Sequence, residues 1–287
     1  MQRDGVPTLG RVGIWAATSD DRPVAELRRA ALEAEQLGYG ALWFGETGGR
    51  EAMAQAAVLL GASSRITVAC GMADVYARDA VTAAAGAQTL DDAFPGRFLT
   101  TLWESHPDLV GGVRGHAYQP PVEKMAAYLD GMAAAPVGAG APRLVSALST
   151  EMLELAARRA DGALVFGLPV EWTRRAREGL GAEPALAVVQ FCVLGSPDQA
   201  ARIAAAALPN RRHLLAEAGY RQVDALRPPV VDALVAHGGV AEVAARVREQ
   251  LAAGADHVAL HVTAPAGGEG LPFAAWAELR AELGSLD

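Results

Sequence analysis

Lysine is nearly absent from this chain. Lys124 is the only one in 287 residues, so arginine supplies almost all of the 25 positive charges, against 33 carboxylates. The net charge is −8. The protein therefore lacks the excess positive charge that attracts nucleic acids and anionic membranes. We therefore expect neither as a partner. Any anionic ligand must be held locally, by arginine side chains and backbone amides.

Cysteine and long apolar runs are also scarce. Cys70 and Cys192 are the only cysteines, and both lie in apolar, strand-like runs, which predicts buried free thiols. No run reaches the roughly 18 uncharged apolar residues of a membrane-spanning helix. The segment 1–12 lacks the apolar core of a secretory signal. We expect a cytoplasmic protein.

Familiar catalytic signatures are missing as well. The sequence has no C-x-x-C, H-E-x-x-H, P-loop or G-x-S-x-G motif, and no G-x-G-x-x-G follows the first predicted strand. The histidines outside the region of strand 4 have no metal-ligand spacing; they are His213, His237, His257 and His261. We therefore predict no metal site, and His261 is expected to face the packed rim of the fold.

Short apolar, β-branched runs alternate with alanine-rich helical stretches along the chain. Eight runs predict strands, at 11–16, 41–45, 66–72, 98–103, 144–148, 163–166, 186–194 and 257–262. Continuous apolar runs are typical of parallel strands buried on both faces. Eight such strands, each followed by a helix, predict a single (β/α)8 TIM barrel over 1–287. An open doubly wound sheet is the alternative, although it usually has fewer strands.

One connection is much longer than the others. The segment 195–256 separates the seventh and eighth predicted strands and contains three helical runs and a Pro-Pro break. A long insertion after a barrel strand lies over the C-terminal face, where TIM-barrel enzymes have their active sites. We expect it to shape the substrate pocket, although a role in packing or dimerisation is an equal alternative.

Four sequence stretches, in this order along the chain, carry a resemblance to a known family. They are 37–46 (LGYGALWFGE), 64–71 with its continuation through 77–79 and 93–98, 155–163, and 253–258. The chain resembles the luciferase-like superfamily, and within it the actinobacterial branch that uses the deazaflavin coenzyme F420. The resemblance implies a (β/α)8 barrel and hydride transfer from a reduced cofactor, or oxygen chemistry where the cofactor is FMN.

The resemblance also implies where the cofactor binds. Its ring would lie at the C-terminal ends of the strands, and a bulge with a non-prolyl cis peptide near Gly71 would support it from behind. Ser149 and Thr150 open a helix, which is a ready anion site, although either residue would also serve as a plain N-cap. The implied cofactor contacts are Trp15, Glu46, Cys70, Gly71, Met72, Trp103, Ser105, Leu148, Ser149 and Thr150.

Three residues near strand ends are the predicted proton carriers. His106 is favoured by type, because its charge changes near neutral pH. Glu46 follows the second strand, where a carboxylate would orient a cofactor or transfer a proton. Glu104 completes the predicted catalytic set. A satisfied structural histidine and an ordinary loop carboxylate are the alternatives for His106 and Glu46.

The fourth strand departs from the family pattern. Thr101 and Trp103 stand where the resemblance implies glycines that let the backbone approach the ring. Trp103 would either stack on the ring or fill its space. The first outcome predicts an F420-dependent oxidoreductase acting on a small organic substrate. The second predicts a barrel without flavin, acting as a cofactor-independent cyclase or isomerase or as a binding protein. An FMN monooxygenase is a further alternative.

The resemblance finally implies an assembly. Luciferase-like barrels commonly pair through helices early in the chain, and the apolar run 53–60 suits such a contact. We therefore predict a homodimer.

Overall fold

The fold is a closed barrel of eight parallel strands. The computed structural model describes residues 6–16, 22–264 and 270–284. The strands of the ring run in the order β6-β5-β4-β3-β2-β1-β9-β7, and pairing between β6 and β7 closes it. The predicted (β/α)8 architecture is confirmed. The strands are β1 (Val12–Trp15), β2 (Ala41–Phe44), β3 (Thr67–Asp74), β4 (Phe98–Trp103), β5 (Arg143–Ser146), β6 (Gly162–Phe166), β7 (Ala185–Leu194), β8 (Val235–Gly238) and β9 (His257–Val262).

Helices surround the ring and connect its strands. They are α1 (Val24–Gln36), α2 (Ala52–Leu60), α3 (Ala80–Ala93), α4 (Pro121–Ala133), α5 (Thr150–Arg159), α6 (Val170–Leu180), α7 (Pro197–Ala207), α8 (Arg212–Glu217), α9 (Pro228–Leu234), α10 (Val240–Ala252) and α11 (Phe273–Leu283). Side-chain caps start several of them: Asp79 accepts the N–H of Thr82, and Ser149 accepts that of Met152. Ser149 therefore acts as the N-cap considered above for this turn. In the described part of the chain, no helix is both long and apolar enough to cross a bilayer.

The core has two layers, because side chains alternate along each strand. One set packs against the helices and the other fills the barrel, where Trp15, Trp43 and Leu99 lie. Inside the barrel Trp43 Nε1 donates to His257 Nε2 at 2.9 Å, and His257 Nδ1 lies 2.9 Å from the carbonyl oxygen of Gly10. One nitrogen therefore accepts and the other donates, which fits a neutral ring that fastens the barrel interior.

The insertion between β7 and β9 differs from its prediction. It contains a strand, β8, as well as helices, and this strand pairs with Phe191–Leu194 of β7 beyond the point where β6 ends. A separate apolar cluster, which includes Phe191, Val193 and Leu234, joins the insertion to the barrel. The largely apolar run 230–236 passes from α9 into β8 without a turn residue between them, so the pattern did not mark where this strand begins.

The end of β3 carries the expected bulge. Its pairing with β4 shifts register between Cys70 and Ala73. The peptide bonds of the described residues are all trans, so the cis peptide predicted near Gly71 is not found. Cys70 and Cys192 are both free and buried, as predicted.

Candidate active site

A cavity of about 610 Å³ opens at the C-terminal mouth of the barrel. The ends of β3 to β6 form one side and the start of the insertion forms the other. This volume is within the usual range for a site that binds a small organic molecule. The cavity is lined by Met72, Trp103, Glu104, Ser105, His106, Pro107, Tyr118, Pro121, Val122, Ser146, Leu148, Ser149, Met152, Phe166, Pro209, Asn210, Arg211 and His213.

Seven of the predicted site residues meet in this lining. They are Met72, Trp103, Glu104, Ser105, His106, Leu148 and Ser149. They come from the ends of three neighbouring parallel strands, so the barrel topology itself brings them to one edge. The remaining predicted contacts, Trp15, Glu46, Cys70, Gly71 and Thr150, lie outside the lining.

Trp15 and Gly71 lie beneath the cavity, within the packed barrel. Trp15 stacks on Trp43 with 6.5 Å between ring centroids and meets Phe166 edge-on at 4.8 Å. A Cβ on Gly71 would collide with both indoles, so the glycine makes room for tryptophan packing. Cys70 is fully buried on the helix side of the barrel wall, and this burial raises the pKa of its thiol. For these residues the cavity gives the predicted cofactor contact no geometric support.

Glu46 is a buried anchor of the second βα connection. Its carboxylate accepts from both terminal nitrogens of Arg78 and from the backbone N–H groups of Ala52 and Asp74. These four bonds join the start of α2 to the end of β3. Its oxygens are committed to these bonds, so its predicted proton-carrying role has no support from this geometry.

Glu104 differs from Glu46 in that one of its carboxylate oxygens has no partner among the described residues. This oxygen, Oε2, is buried. Burial raises the pKa of Glu104 from 4.5 to about 7, because removal from water disfavours the charged carboxylate. Tyr118 lies close enough to be affected: burial, and then the charge of Glu104, raise its pKa. A carboxyl group in a cavity that exchanges its proton near neutral pH is a candidate acid or base.

The backbone after Glu104 is held in an unusual conformation. Ser105 has φ = 66°, a left-handed conformation that non-glycine residues rarely adopt. Its hydroxyl donates to Asp74 Oδ2 at 3.0 Å, and Arg114 Nε donates to the same oxygen at 2.6 Å. Asp74 is fully buried, and its Oδ1 accepts the N–H of Tyr76 at 2.8 Å. This network fixes the turn that follows Glu104.

His106 and Ser149 both line the cavity, after the neighbouring strands β4 and β5. His106 Nε2 lies 3.2 Å from Asn210 Oδ1, so the histidine bridges the end of β4 and the insertion. Its side chain is 43% exposed. Ser149 lines the cavity while its hydroxyl caps α5, accepting the N–H of Met152 at 3.2 Å. One hydroxyl therefore performs both of the roles predicted for this turn, cap and cavity wall.

Strand β4 directs Leu99, Thr101 and Trp103 towards the barrel axis. Leu99 and Thr101 are fully buried, and Thr101 Oγ1 has no hydrogen-bond partner in the described chain. Trp103 is half-buried and forms part of the cavity wall with Tyr118 and Phe166. An aromatic wall in a cavity of this size fits a flat, ring-shaped cofactor. Met72, Trp103 and Ser149 are the residues positioned to hold one.

Arg211 was not found by sequence reasoning. It lies in the insertion, one residue before α8, and it is 7% exposed. All of its hydrogen bonds go to backbone carbonyl oxygens, those of Phe166, Gly167 and Ala207. Burial lowers the pKa of Arg211 to about 10. One arginine among 24 in the sequence carries no local signal of such a position.

His261 stands beside this arginine, within the mouth of the barrel. Its ring centroid is 5.1 Å from that of Phe191 and 6.2 Å from that of Trp15. Burial and, after it, the charge of Arg211 lower the pKa of His261 to about 4, so the ring is neutral at physiological pH. Its Nδ1 is buried without a partner among the described residues. The described residues include no cluster of three or more potential metal ligands.

Comparison with known proteins agrees with this architecture. A family profile described as "Luciferase-like monooxygenase" matches residues 5–135. An F420-dependent secondary alcohol dehydrogenase, solved with an F420–acetone adduct, has the same fold with a TM-score of 0.75 at 12% identity, over 96% of this chain and 99% of that one. A search of curated proteins gave no match.

Two further solved structures share the fold. The coenzyme F420-dependent tetrahydromethanopterin reductase of Methanopyrus kandleri gives a TM-score of 0.68 at 15% identity, covering 96% of this chain and 97% of that one. The oxygenating constituent of 3,6-diketocamphane monooxygenase from Pseudomonas putida, in complex with FMN, gives 0.70 at 13% identity, covering 98% of each. At such identities the likeness establishes the fold alone.

Proposed function

We propose that this chain is an oxidoreductase of the luciferase-like type, which binds coenzyme F420 in the barrel-mouth cavity and acts on a small organic substrate. The observation that carries the proposal is Glu104, which lines that cavity, has one buried carboxylate oxygen without a partner among the described residues, and has a pKa near neutrality. The family profile over the first part of the chain supports the luciferase-like type, and the F420-dependent enzymes among the similar folds support the choice of cofactor.

Each wall of the cavity has a part in the proposed binding. Trp103 and Met72 would lie against the cofactor ring, and Ser149 at the start of α5 would face its polar end. When bound and reduced, F420 supplies a hydride. The protein contributes binding, orientation and the exclusion of water.

Glu104 is the proposed proton donor or acceptor. Near neutral pH both of its protonation states are populated, which is the condition for efficient acid–base catalysis. The buried Oε2 has no partner among the described residues, so no hydrogen bond from the protein holds this oxygen in either protonation state. Tyr118 would lie beside the transferred proton, and His106, at the rim, would be the route by which it exchanges with solvent.

A second candidate is a cofactor-free acid–base enzyme of the cyclase or isomerase type. The observation that favours it is Trp103, whose indole lines the cavity where glycine is implied by the family pattern. Glu104 would have the same role in such an enzyme. An FMN monooxygenase is a third candidate, supported by the FMN-containing neighbour.

Titration of the purified protein with F420 and separately with FMN, followed by absorbance, distinguishes these functions. We expect the native protein to bind F420 more tightly than FMN. The variant Trp103→Gly should then bind F420 several-fold more weakly, because a stacked aromatic contact is worth about 0.5–1.5 kcal/mol beyond its buried area. Trp103→Phe keeps an aromatic ring and should retain most of the affinity.

The contrary results are equally distinct. No F420 binding by the native protein, with clear binding by Trp103→Gly or by the double variant with Thr101→Gly, would establish that the indole blocks the site and would favour the cofactor-free enzyme. Tighter binding of FMN than of F420 would favour the monooxygenase.

A further inference from the structure

Arg211 carries a buried charge that no carboxylate neutralises in the described part of the chain. Its hydrogen bonds all go to carbonyl oxygens, and burial alone accounts for its lowered pKa. Glu104, the one carboxylate in the cavity lining, does not contribute to the pKa of Arg211, nor Arg211 to that of Glu104. The cavity lining therefore contains both a buried positive charge and an acid whose pKa lies near neutrality.

The guanidinium of Arg211 also has hydrogen-bonding capacity left. Nε donates to Phe166 O and Gly167 O, Nη2 donates to Phe166 O, and Nη1 donates to Ala207 O. A guanidinium has five N–H groups, so one hydrogen on each terminal nitrogen has no protein acceptor among the described residues. These two hydrogens are available to an anionic oxygen, such as those of a carboxylate.

The surroundings of Arg211 are apolar and hold a second unsatisfied group. The guanidinium lies 5.7 Å from the ring centroid of Phe166 and 5.6 Å from that of Phe191. His261, whose buried Nδ1 has no partner, adjoins it. Charges attract more strongly where water is excluded, so an anion here would gain more than one at the surface.

We propose that Arg211 is an anion site for the substrate, and that the substrate is an aromatic or otherwise apolar organic carboxylate. Its carboxylate would lie on the guanidinium, its apolar body against Phe166, and its reacting part towards Glu104. This inference rests on the proposed function in that it assigns a substrate class to the same cavity. The insertion, by contributing Arg211, sets the specificity of the barrel.

Calorimetric titration with 2-naphthoate and its neutral analogue 2-naphthamide tests the anion site directly. The titrations are made without cofactor and below neutral pH, where Glu104 keeps its proton. We expect naphthoate to bind the native protein about tenfold more tightly than naphthamide, the gain typical of a charged hydrogen-bonded pair. Arg211→Met should abolish this preference, and Arg211→Lys, which keeps the charge but loses the fork, should retain part of it.

The neighbouring arginine provides a matched control. Arg212 is exposed and pairs with Asp224 at 2.8 Å, outside the cavity lining. Arg212→Met removes the same charge one residue away and should leave the preference intact. Equal binding of the two probes to the native protein, no binding of naphthoate, or a preference that survives Arg211→Met would each overturn the proposal. If Arg211→Met does not fold, Arg211→Lys takes its place. A naphthoate preference in Arg211→Lys equal to that of the native protein would contradict the proposal.

A comparison of FMN with riboflavin, which lacks the phosphate, tests the cofactor as the source of the anion. We expect Arg211→Met to leave the affinity ratio of FMN to riboflavin unchanged. If it lowers that ratio and leaves naphthoate binding intact, the anion belongs to a cofactor phosphate and the proposal fails. A protein that binds neither F420 nor FMN but shows the Arg211-dependent preference retains the anion site and loses the proposed function.

Discussion

At the scale of single residues, environment decides what a carboxylate does. Glu46 and Glu104 each follow a barrel strand, and both are largely removed from water. Glu46 accepts two bonds from Arg78 and two from backbone N–H groups, so its carboxylate serves as a structural anchor. Glu104 Oε2 has no partner in the described chain, and its pKa rises. The first is tied to the protein by four hydrogen bonds, and only the second has a buried oxygen without a protein partner among the described residues.

Glu104 should make the stability of the protein depend on pH. Its pKa is higher in the folded than in the unfolded state, so its contribution is fully present below the unfolded pKa of 4.5 and is lost as pH rises through about 7. A rise in pKa of this size lowers the free energy of unfolding by roughly 3 kcal/mol at alkaline pH. Urea unfolding across this range should show Glu104→Gln more stable than the native protein above pH 7, with the difference vanishing near pH 4.

An exposed glutamate supplies the comparison for this experiment. Glu123 lies exposed on α4, outside the cavity lining, and Glu123→Gln should follow the native stability profile throughout. Parallel profiles for the native protein and Glu104→Gln would mean that Glu104 is solvated and ionised normally.

At the scale of elements, the turn after β4 is the feature that places the acid. Ser105 holds a left-handed backbone, and Asp74, at the end of β3, fixes it through the serine hydroxyl. The bulge in β3 comes just before Asp74, so a local irregularity in one strand accompanies an irregular turn in the next. The ends of β3 and β4 together position Glu104.

Two substitutions of Ser105 separate strain from hydrogen bonding. Ser105→Ala and Ser105→Gly both lose the bond to Asp74, but only glycine adopts a positive φ without strain. We expect the glycine variant to be more stable than the alanine variant by about 1 kcal/mol in urea unfolding. Ser64 is exposed and its φ is not positive. There the glycine variant should be less stable than the alanine variant, because glycine gains more conformational entropy on unfolding. The same order at both positions would argue against strain at Ser105.

The barrel strands could be predicted from the sequence, whereas β8 and several long-range contacts could not. The barrel strands were predictable, because strands buried on both faces are continuous apolar runs. Strand β8 follows α9 directly within one largely apolar run, so no local pattern marks the change from helix to strand. Arg78 lies 32 residues from Glu46, and Arg211 owes its importance to burial against β6. The residues at the cavity mouth followed from strand order, whereas their chemistry depended on contacts made only in the folded chain.

At the scale of the whole molecule, the outer face formed by α1, α2 and α3 suits self-association. Leu32 is 43% exposed and Val81 is 46% exposed. A groove beside Leu32 runs between α1 and α2 and is lined by Arg28, Leu32, Ala57, Val58, Gly61 and Ala62. An apolar face of this kind is a typical contact between copies of one chain.

We predict a homodimer through this face. Light scattering at micromolar concentration should give twice the 29.7 kDa mass of the chain, and Leu32→Asp should shift the mass towards the monomer, because a charge would be buried without a partner. Val113 is 68% exposed on the short helix after β4 and belongs to none of α1, α2 and α3, so Val113→Asp should leave the dimer intact. A native mass of 29.7 kDa would rule the dimer out.

The arrangement of tryptophans has an optical consequence. Of the five, Trp15, Trp43, Trp172 and Trp276 are buried with at most 6% exposure, and only Trp103 lies in the cavity lining. A ligand that enters the cavity therefore changes the polarity around one indole and leaves those around Trp172 and Trp276 as they were. Soluble quenchers would likewise reach Trp103 before the others. Intrinsic fluorescence thus reports occupancy of this cavity without any added label, and the emission of a Trp103→Phe variant provides the background to subtract.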